Sequence, residues 1–413
     1  MANSNIKVKF ICAREILDSK GMPTVEAELK TNSGNFLASV PSGISTGKYE
    51  AAELRDSDGK GVKKAIENIE KIISPALENE DLNDQKRIDE ILITLDGTKN
   101  KSRLGANAIL PVSIAVCRAI ASSKAISLYQ YISEISADPI IKLPKPSFNM
   151  IEGGKHAKSG LAFQEFMAVP QSESFKENLE GGKKVYKKLG EILNNKFPKV
   201  ELSAEGAFAS PEKEISKVLD LLSEAIEDVG KKDMVKIAID AAASEFCENG
   251  NYKIGDEIIS GKELVELYKG LAKIYPIISV EDPFFEEDFD NFSQLKKETN
   301  DKFIILGDDL TATNIERIKL AKEKDACSGL ILKPNQIGSV TEAIDAAKLA
   351  KSFGWKIMVA NRAGETEDSF IADLAVGISA DFIKSGAPFP KERMAKYERL
   401  AEIEKEVVGA SGM

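Results

Sequence analysis

The chain has 413 residues, enough for a large core and two domains. Apolar residues make up 43% and charged residues 30%, an ordinary globular composition rather than a disordered one. A net charge of −10 excludes charge-driven binding to a nucleic-acid backbone or an anionic membrane surface, so neither is an expected partner, and a small polyanionic substrate would need locally assembled cations.

The first residues, Met-Ala-Asn-Ser-Asn-Ile-Lys, hold no apolar signal core, and no run is expected to have the length of a membrane span. Cys12, Cys117, Cys247 and Cys327 are scattered without a Cys-x-x-Cys pair and read as small core residues of a reducing cytoplasm. Lys7 to Ile16, Thr24 to Thr31 and Asn35 to Val40 alternate apolar and polar residues around glycine-containing turns, which predicts a three-stranded antiparallel meander. Pro41 to Lys48, small and glycine-rich, lacks the spacing of a phosphate loop and reads as a lid. Helical periodicity covers 61–73, 85–95, 105–122 and 128–135, so residues 1–138 are expected to form an α+β N-terminal capping domain, bounded by Ala137-Asp-Pro and Leu143-Pro-Lys-Pro.

Residues 139–413 open with two strands in succession, 147–151 and 161–169, and two long helices, 174–195 and 214–229. From Val235 one unit then repeats six times: a short apolar strand, an ionisable or polar residue at its end, and an amphipathic helix. The strands end on Asp240, Glu281, Asp308, Lys333, Asn361 and Lys384, at spacings of 41, 27, 25, 28 and 23 residues. The pattern predicts a barrel in the order ββαα(βα)₆ with its first two strands antiparallel. In such a barrel the strand C-terminal ends converge on one face, which carries the active site. Three carboxylates and two lysines then meet there. Hard oxygen ligands suit Mg²⁺, and one histidine in the whole chain excludes a site built from several.

Lys333 ends the buried run Leu330-Ile331-Leu332 at Pro334. Taken alone it reads first as a strand-end lysine reaching solvent; the convergent acids around it make it a candidate base. Glu165 and Glu205, by themselves, read as solvated loop acids.

Strand order and motifs together resemble the enolase family, the phosphopyruvate hydratases, along essentially the whole chain. The matching stretches are Ser42-Gly-Ile-Ser-Thr-Gly, Leu95-Asp-Gly-Thr, Leu104-Gly-Ala-Asn-Ala-Ile-Leu, Gly153-Gly-Lys-His-Ala, Gln164-Glu-Phe-Met, Ser279-Val-Glu-Asp-Pro, Gly307-Asp-Asp-Leu, Leu332-Lys-Pro-Asn-Gln-Ile-Gly, Gly364-Glu-Thr-Glu-Asp and Ile383-Lys-Ser-Gly-Ala-Pro. The resemblance implies an enolase-type TIM barrel and a hydro-lyase that reversibly dehydrates 2-phosphoglycerate to phosphoenolpyruvate in cytoplasmic glycolysis and gluconeogenesis, working as a homodimer or an assembly of dimers. It implies two Mg²⁺ per active site. Asp240, Glu281 and Asp308 would hold the first, and Ser45 would help hold the second once substrate is bound. It further implies that Lys333 removes the C2 proton, that Glu205 helps the C3 hydroxyl leave with Glu165 assisting, and that His156, Arg362 and Lys384 contact substrate. For that role the Lys333 pKa is expected to fall from ~10.4 toward ~7–8, and Glu165 is expected to raise that of Glu205 by like-charge repulsion. Asp282 and Asp309 read as groups that orient the metal ligands.

The sequence departs from the family where Ser-His-Arg-Ser is replaced by Ala360-Asn361-Arg362-Ala363, so that Asn361 and Ala363 line the substrate pocket in place of histidine and serine. The family's Gly-Asp-Glu-Gly-Gly is Ser203-Ala204-Glu205-Gly206-Ala207, which keeps the acid and loses its acidic neighbour. Two alternatives to the enolase reaction therefore stand: the same proton abstraction on another phosphorylated or phosphonate-bearing hydroxy acid, and a non-catalytic enolase-like binding protein.

Overall fold

The computed structural model describes residues 6–43, 47–157 and 159–411. Strands β1 (Val8–Leu17), β2 (Pro23–Thr31) and β3 (Asn35–Ser39) form the antiparallel meander, in that order. On β2 the residues Val25, Ala27 and Leu29 alternate inward and are fully buried, which places one face of the sheet on the helix Ala106–Ser123. By length and composition that helix is apolar enough to cross a membrane, contrary to the expectation from the sequence. It is hydrophobic all round because it is the central helix of this domain, buried from Ala106 to Cys117.

The larger domain is a closed barrel. Its strands are β4 (Lys145–Glu152), β5 (Glu165–Pro170), with the two-residue β6 (Phe208–Ala209) alongside β4, then β7 (Val235–Asp240). A small antiparallel sheet follows, β8 (Cys247–Glu248), β9 (Asn251–Ile254) and β10 (Glu257–Ser260), and accounts for the long first spacing of the repeat. The barrel continues with β11 (Ile277–Glu281), β12 (Ile304–Gly307), β13 (Gly329–Leu332), β14 (Lys356–Ala360) and β15 (Phe382–Lys384). β5 pairs antiparallel with both β4 and β7, every other neighbour pairs parallel, and β15 closes on β4. The eight-strand ring with one reversed strand is the ββαα(βα)₆ order predicted. Inside the ring Met167, Val169, Ala238, Leu306, Ile331 and Met358 pack as a core of their own, separate from the apolar layer between strands and helices.

The two domains are joined by polar contacts that surround the mouth of the barrel. Ser19 N–H donates to the Glu365 carbonyl at 2.7 Å, Ala51 N–H to the Gln336 carbonyl at 2.7 Å, and Lys101 pairs with Glu342 at 2.6 Å. Farther from the mouth, helix Leu128–Ser136 lies on helix Phe370–Gly377 with glycine at the crossing. A Cβ on Gly377 would stand 2.6 Å from the Ile132 Cβ and 2.7 Å from the Tyr129 carbonyl. Gly377→Ala is therefore expected to cost about 1–3 kcal/mol by overpacking, measured by denaturant unfolding, and an unchanged midpoint would contradict this packing.

Candidate active site

Strand register sets the site. Glu152 on β4 lies opposite Glu165 on β5, Glu165 opposite Asp240 on β7, and Asp240 opposite Glu281 on β11. Four carboxylates thus stand in one row across four neighbouring strands. β5 runs backwards, so it supplies its first residue to the face where the other strands supply their last. Across the barrel β15 brings Lys384 to the same end, opposite Ala360 and Ser147.

The Lys384 ammonium is buried among three of these acids. It donates to Glu281 at 2.6 Å, to Asp240 at 3.1 Å and to Glu165 at 3.1 Å. Burial opposes its charge, but Asp240, Glu165 and Glu281 outweigh burial and hold its pKa well above the ordinary lysine value. Lys333 follows β13, and Pro334 starts a short helical turn immediately after it. Its ammonium is ion-paired to Asp308, whose other oxygen accepts from the Gln336 amide at 2.9 Å. Opposing influences act on Lys333. Burial does push its pKa down, but Asp308 outweighs burial and the like charge of Lys384, and the net shift is upward. Asp308 itself is lowered, because Lys333 and Lys384 overcome its burial. Lys333 is thus an ammonium held by a carboxylate.

Asp240, Glu281 and Asp308 all face this end of the barrel. Burial raises Asp240, and it raises Glu281 well above the usual carboxylate range, with Asp240 adding to the effect on Glu281. Glu281 Oε1 is buried without a hydrogen-bond partner among the described residues. A buried, unpaired carboxylate oxygen in an all-oxygen donor set fits a hard divalent cation such as Mg²⁺. Asp308 also approaches Asp282 and Asp309, with one carboxyl oxygen from each within 4.8 Å of the others. Asp282 adopts φ 38°, and its side chain accepts from the backbone N–H of Asp308 at 2.9 Å and of Asp309 at 2.5 Å. It fixes the backbone that presents Asp308, and a strained backbone at such a position is typical of functional sites. Asp309 is pushed up to about 7 by burial and by Asp308.

On the other side of Lys384, His156 Nδ1 stands 3.2 Å from Glu165 and 3.8 Å from Glu205. Burial disfavours its protonation, but the carboxylates of Glu152 and Glu165 beside it raise its pKa well above the ordinary value. Glu165 goes the opposite way to a buried lone acid: Lys384, then His156, overcome burial and hold it well below the usual range. Glu205 sits on a tight turn from Ser203 to Ala207, where Gly206 takes φ 82°. Its Oε2 accepts from the Asn361 amide at 3.1 Å and lies 3.9 Å from Arg393 Nη1.

Asn361 also donates to the Arg362 carbonyl at 2.9 Å, so its amide is spent inside the protein. Arg362 reaches across to the N-terminal domain, pairing with Glu50 at 2.7 Å and touching Asn335 at 3.3 Å. Ala363 lines the same cavity, held from behind by Arg393, which donates to the carbonyls of Arg362 and Ala363 at 2.7 Å each. Ser45 lies outside the described residues; its neighbour Ser42 is tied to Asp18 and pairs with Gly364.

The structure therefore brings Lys333, Lys384, Glu165, Glu205, His156, Asn361, Arg362 and Ala363 to one cavity with Asp240 and Asp308, and Glu281 adjoins them through Lys384. Sequence reasoning missed Glu152, Glu50, Gln336 and Arg393. Glu152 was within reach of the strand-end rule, had the first barrel strand been carried one residue past Ile151. Glu50 and Arg393 act across domain and loop boundaries that leave no local signal. A family model described as "Enolase, C-terminal TIM barrel domain" matches residues 140–412, and one described as "Enolase, N-terminal domain" matches residues 8–132. With both of its domains matched and its acids and lysines gathered at the barrel mouth, the chain belongs to the enolase family.

Proposed function

We propose that the protein is a Mg²⁺-dependent hydro-lyase that reversibly dehydrates 2-phosphoglycerate to phosphoenolpyruvate. The observation that carries this reading is a pair of lysines, Lys384 buried and Lys333 half-buried, set against the Asp240, Glu281 and Asp308 carboxylates at the barrel mouth. Asp240, Glu281 and Asp308 would hold one Mg²⁺, and Ser45 is proposed to join a second with substrate. Bound there, the cation supplies stabilisation for the second negative charge that builds on the substrate carboxylate.

Each residue then has a distinct task. Lys333 takes the C2 proton at Nζ, which requires that Asp308 no longer pin its own proton. Once that pairing relaxes, burial and the nearby Lys384 charge favour the neutral amine. Lys384 stays charged and stabilises the enolate as it forms. Glu205 gives a proton to the C3 hydroxyl, which leaves as water when the C3–O bond breaks. Glu165, ionised between Lys384 and His156, holds these two groups in place. Arg362 binds the substrate's anionic group after exchanging its contact with Glu50.

The same abstraction on a different phosphorylated or phosphonate-bearing hydroxy acid is a second reading. It is supported by the use of the Asn361 amide on Glu205 and the Arg362 carbonyl, and by the methyl of Ala363 where a donor would be needed. Cytoplasmic glycolysis or gluconeogenesis and a homodimer are proposed with the first reading, on the family resemblance alone.

Purified protein with Mg²⁺ and 2-phosphoglycerate is expected to form an enol product followed by ultraviolet absorbance, and chelation is expected to abolish it. Absence of product, with C2 proton exchange on another hydroxy acid, would favour the second reading.

A further inference from the structure

Glu152 is the last residue of β4, and no step above uses it. It is 0% exposed. One carboxyl oxygen accepts from the Asn149 side-chain amide; the other is buried with no hydrogen-bond partner among the described residues. One polar atom from each of Glu152, His156, Glu165 and Glu205 lies within 4.8 Å of the other three.

The cations around this quartet are unevenly shared. Glu165, across from Glu152 on β5, has Lys384 at 3.1 Å and His156 at 3.2 Å. Glu205, from the turn that packs beside β4, has the neutral Asn361 amide at 3.1 Å, with His156 at 3.8 Å and Arg393 at 3.9 Å, and the charge of Lys20 also acts on it. Glu152 has the neutral Asn149 amide, and His156 from the following loop at 3.8 Å. Two like charges this close in a buried site cannot both be carried without a close cation, and one carboxyl retains a proton. Glu165 is the acid with cations on it, so the proton belongs to the other two.

We propose that Glu152 and Glu205 share one proton, and that Glu152 is a positioning residue that keeps Glu205 loaded with the proton it gives to the departing C3 hydroxyl. The inference rests on the reading of Glu205 as the acid. When Glu205 protonates the hydroxyl, the C3–O bond breaks, water leaves, and the electron pair of the enolate forms the C2=C3 bond. Both carboxylates are then unprotonated, and the pair recovers its one proton from solvent through the cavity that Glu205 lines, directly or through one water. Burial pushes the Glu152 carboxyl up to about 7, with Glu205 and Glu165 adding to the shift and His156 opposing it.

The test combines infrared titration with kinetics on the intact protein. The substrate-free protein is expected to show a protonated-carboxyl band that titrates near neutral pH. Glu152→Gln should remove it, and Glu205→Gln, which leaves Glu152 intact, should move it to lower pH. With 2-phosphoglycerate and Mg²⁺, Glu152→Gln is expected to lower the ratio of dehydration to C2 proton exchange by ~10²-fold at alkaline pH. It should also bring the alkaline limb of dehydration to lower pH, with Glu152→Asp restoring part of both. Asp309 and Glu281 are raised as well, so the band is read as the difference between wild type and Glu152→Gln; no difference near neutral pH, or an unchanged ratio and pH profile, overturns the proposal. If the wild type neither exchanges nor dehydrates 2-phosphoglycerate, the proposed reaction fails, and the infrared result alone decides whether the shared proton exists.

Discussion

Lys333→Ala is expected to abolish dehydration and C2 proton exchange together, by at least ~10²–10⁴-fold in kcat, the range a single general base supplies. The residue is placed by the end of β13 and held in register by Pro334, so its removal leaves the strand intact. It does free Asp308, which now pairs with Lys333 and Gln336. With that ammonium gone, the Asp308 carboxylate loses its main lowering influence, and the variant is expected to bind Mg²⁺ at least as well as the wild type. Retained metal binding with lost exchange separates a base from a structural lysine. Exchange that persists in Lys333→Ala would remove the lysine from the reaction, while loss of metal binding together with activity would show that it acts through the fold. The ion pair between Lys333 and Asp308 adds a condition: the base becomes available only as Asp308 gives up that contact.

How far the sequence reaches is clearest from the row Glu152, Glu165, Asp240, Glu281. Asp240 and Glu281 were legible because each ends an apolar run, and strand ends of a parallel barrel share one face. Glu165 was not legible that way, because it begins the single reversed strand; only the family motif pointed to it. Glu152 was lost to a strand boundary placed one residue short, the least reliable part of any pattern-based reading. The barrel order followed from periodicity, whereas the small sheet β8 to β10 did not, since its strands are two to four residues long. Electrostatics were least legible of all. That Lys384 would sit on three acids, that Lys333 would be raised, and that Arg362 would pair with Glu50 depend on distances set by packing between segments far apart in the chain.

The largest stability effect is expected from Lys384→Ala. In the wild type one ammonium, 5% exposed, compensates Glu165, Asp240 and Glu281. Removing one partner of a buried ion cluster costs about 3–5 kcal/mol, because the remaining charges stay desolvated. The sign with pH follows from what each state binds. The Lys384 pKa is raised in the folded protein, so its contribution is fully present below the ordinary lysine value and is lost only as pH climbs through the higher folded one. At neutral pH the wild type therefore holds all of it. In the variant Asp240 and Glu281 lose their hydrogen-bonded ammonium and Glu165 keeps only His156, so the folded pKa values of Asp240 and Glu281, already above the unfolded ones, rise further. The penalty is then small below the ordinary carboxylate range and grows as pH rises through that range toward neutrality. Mg²⁺ should stabilise Lys384→Ala more than it stabilises the wild type, since the cation no longer competes with an ammonium for Asp240 and Glu281. Denaturant unfolding at acid and neutral pH, with and without Mg²⁺, measures all three effects. A loss that is the same at both pH values and unchanged by Mg²⁺ would mean that Lys384 stabilises through packing of its alkyl chain, and that the acids around it were never held by its charge.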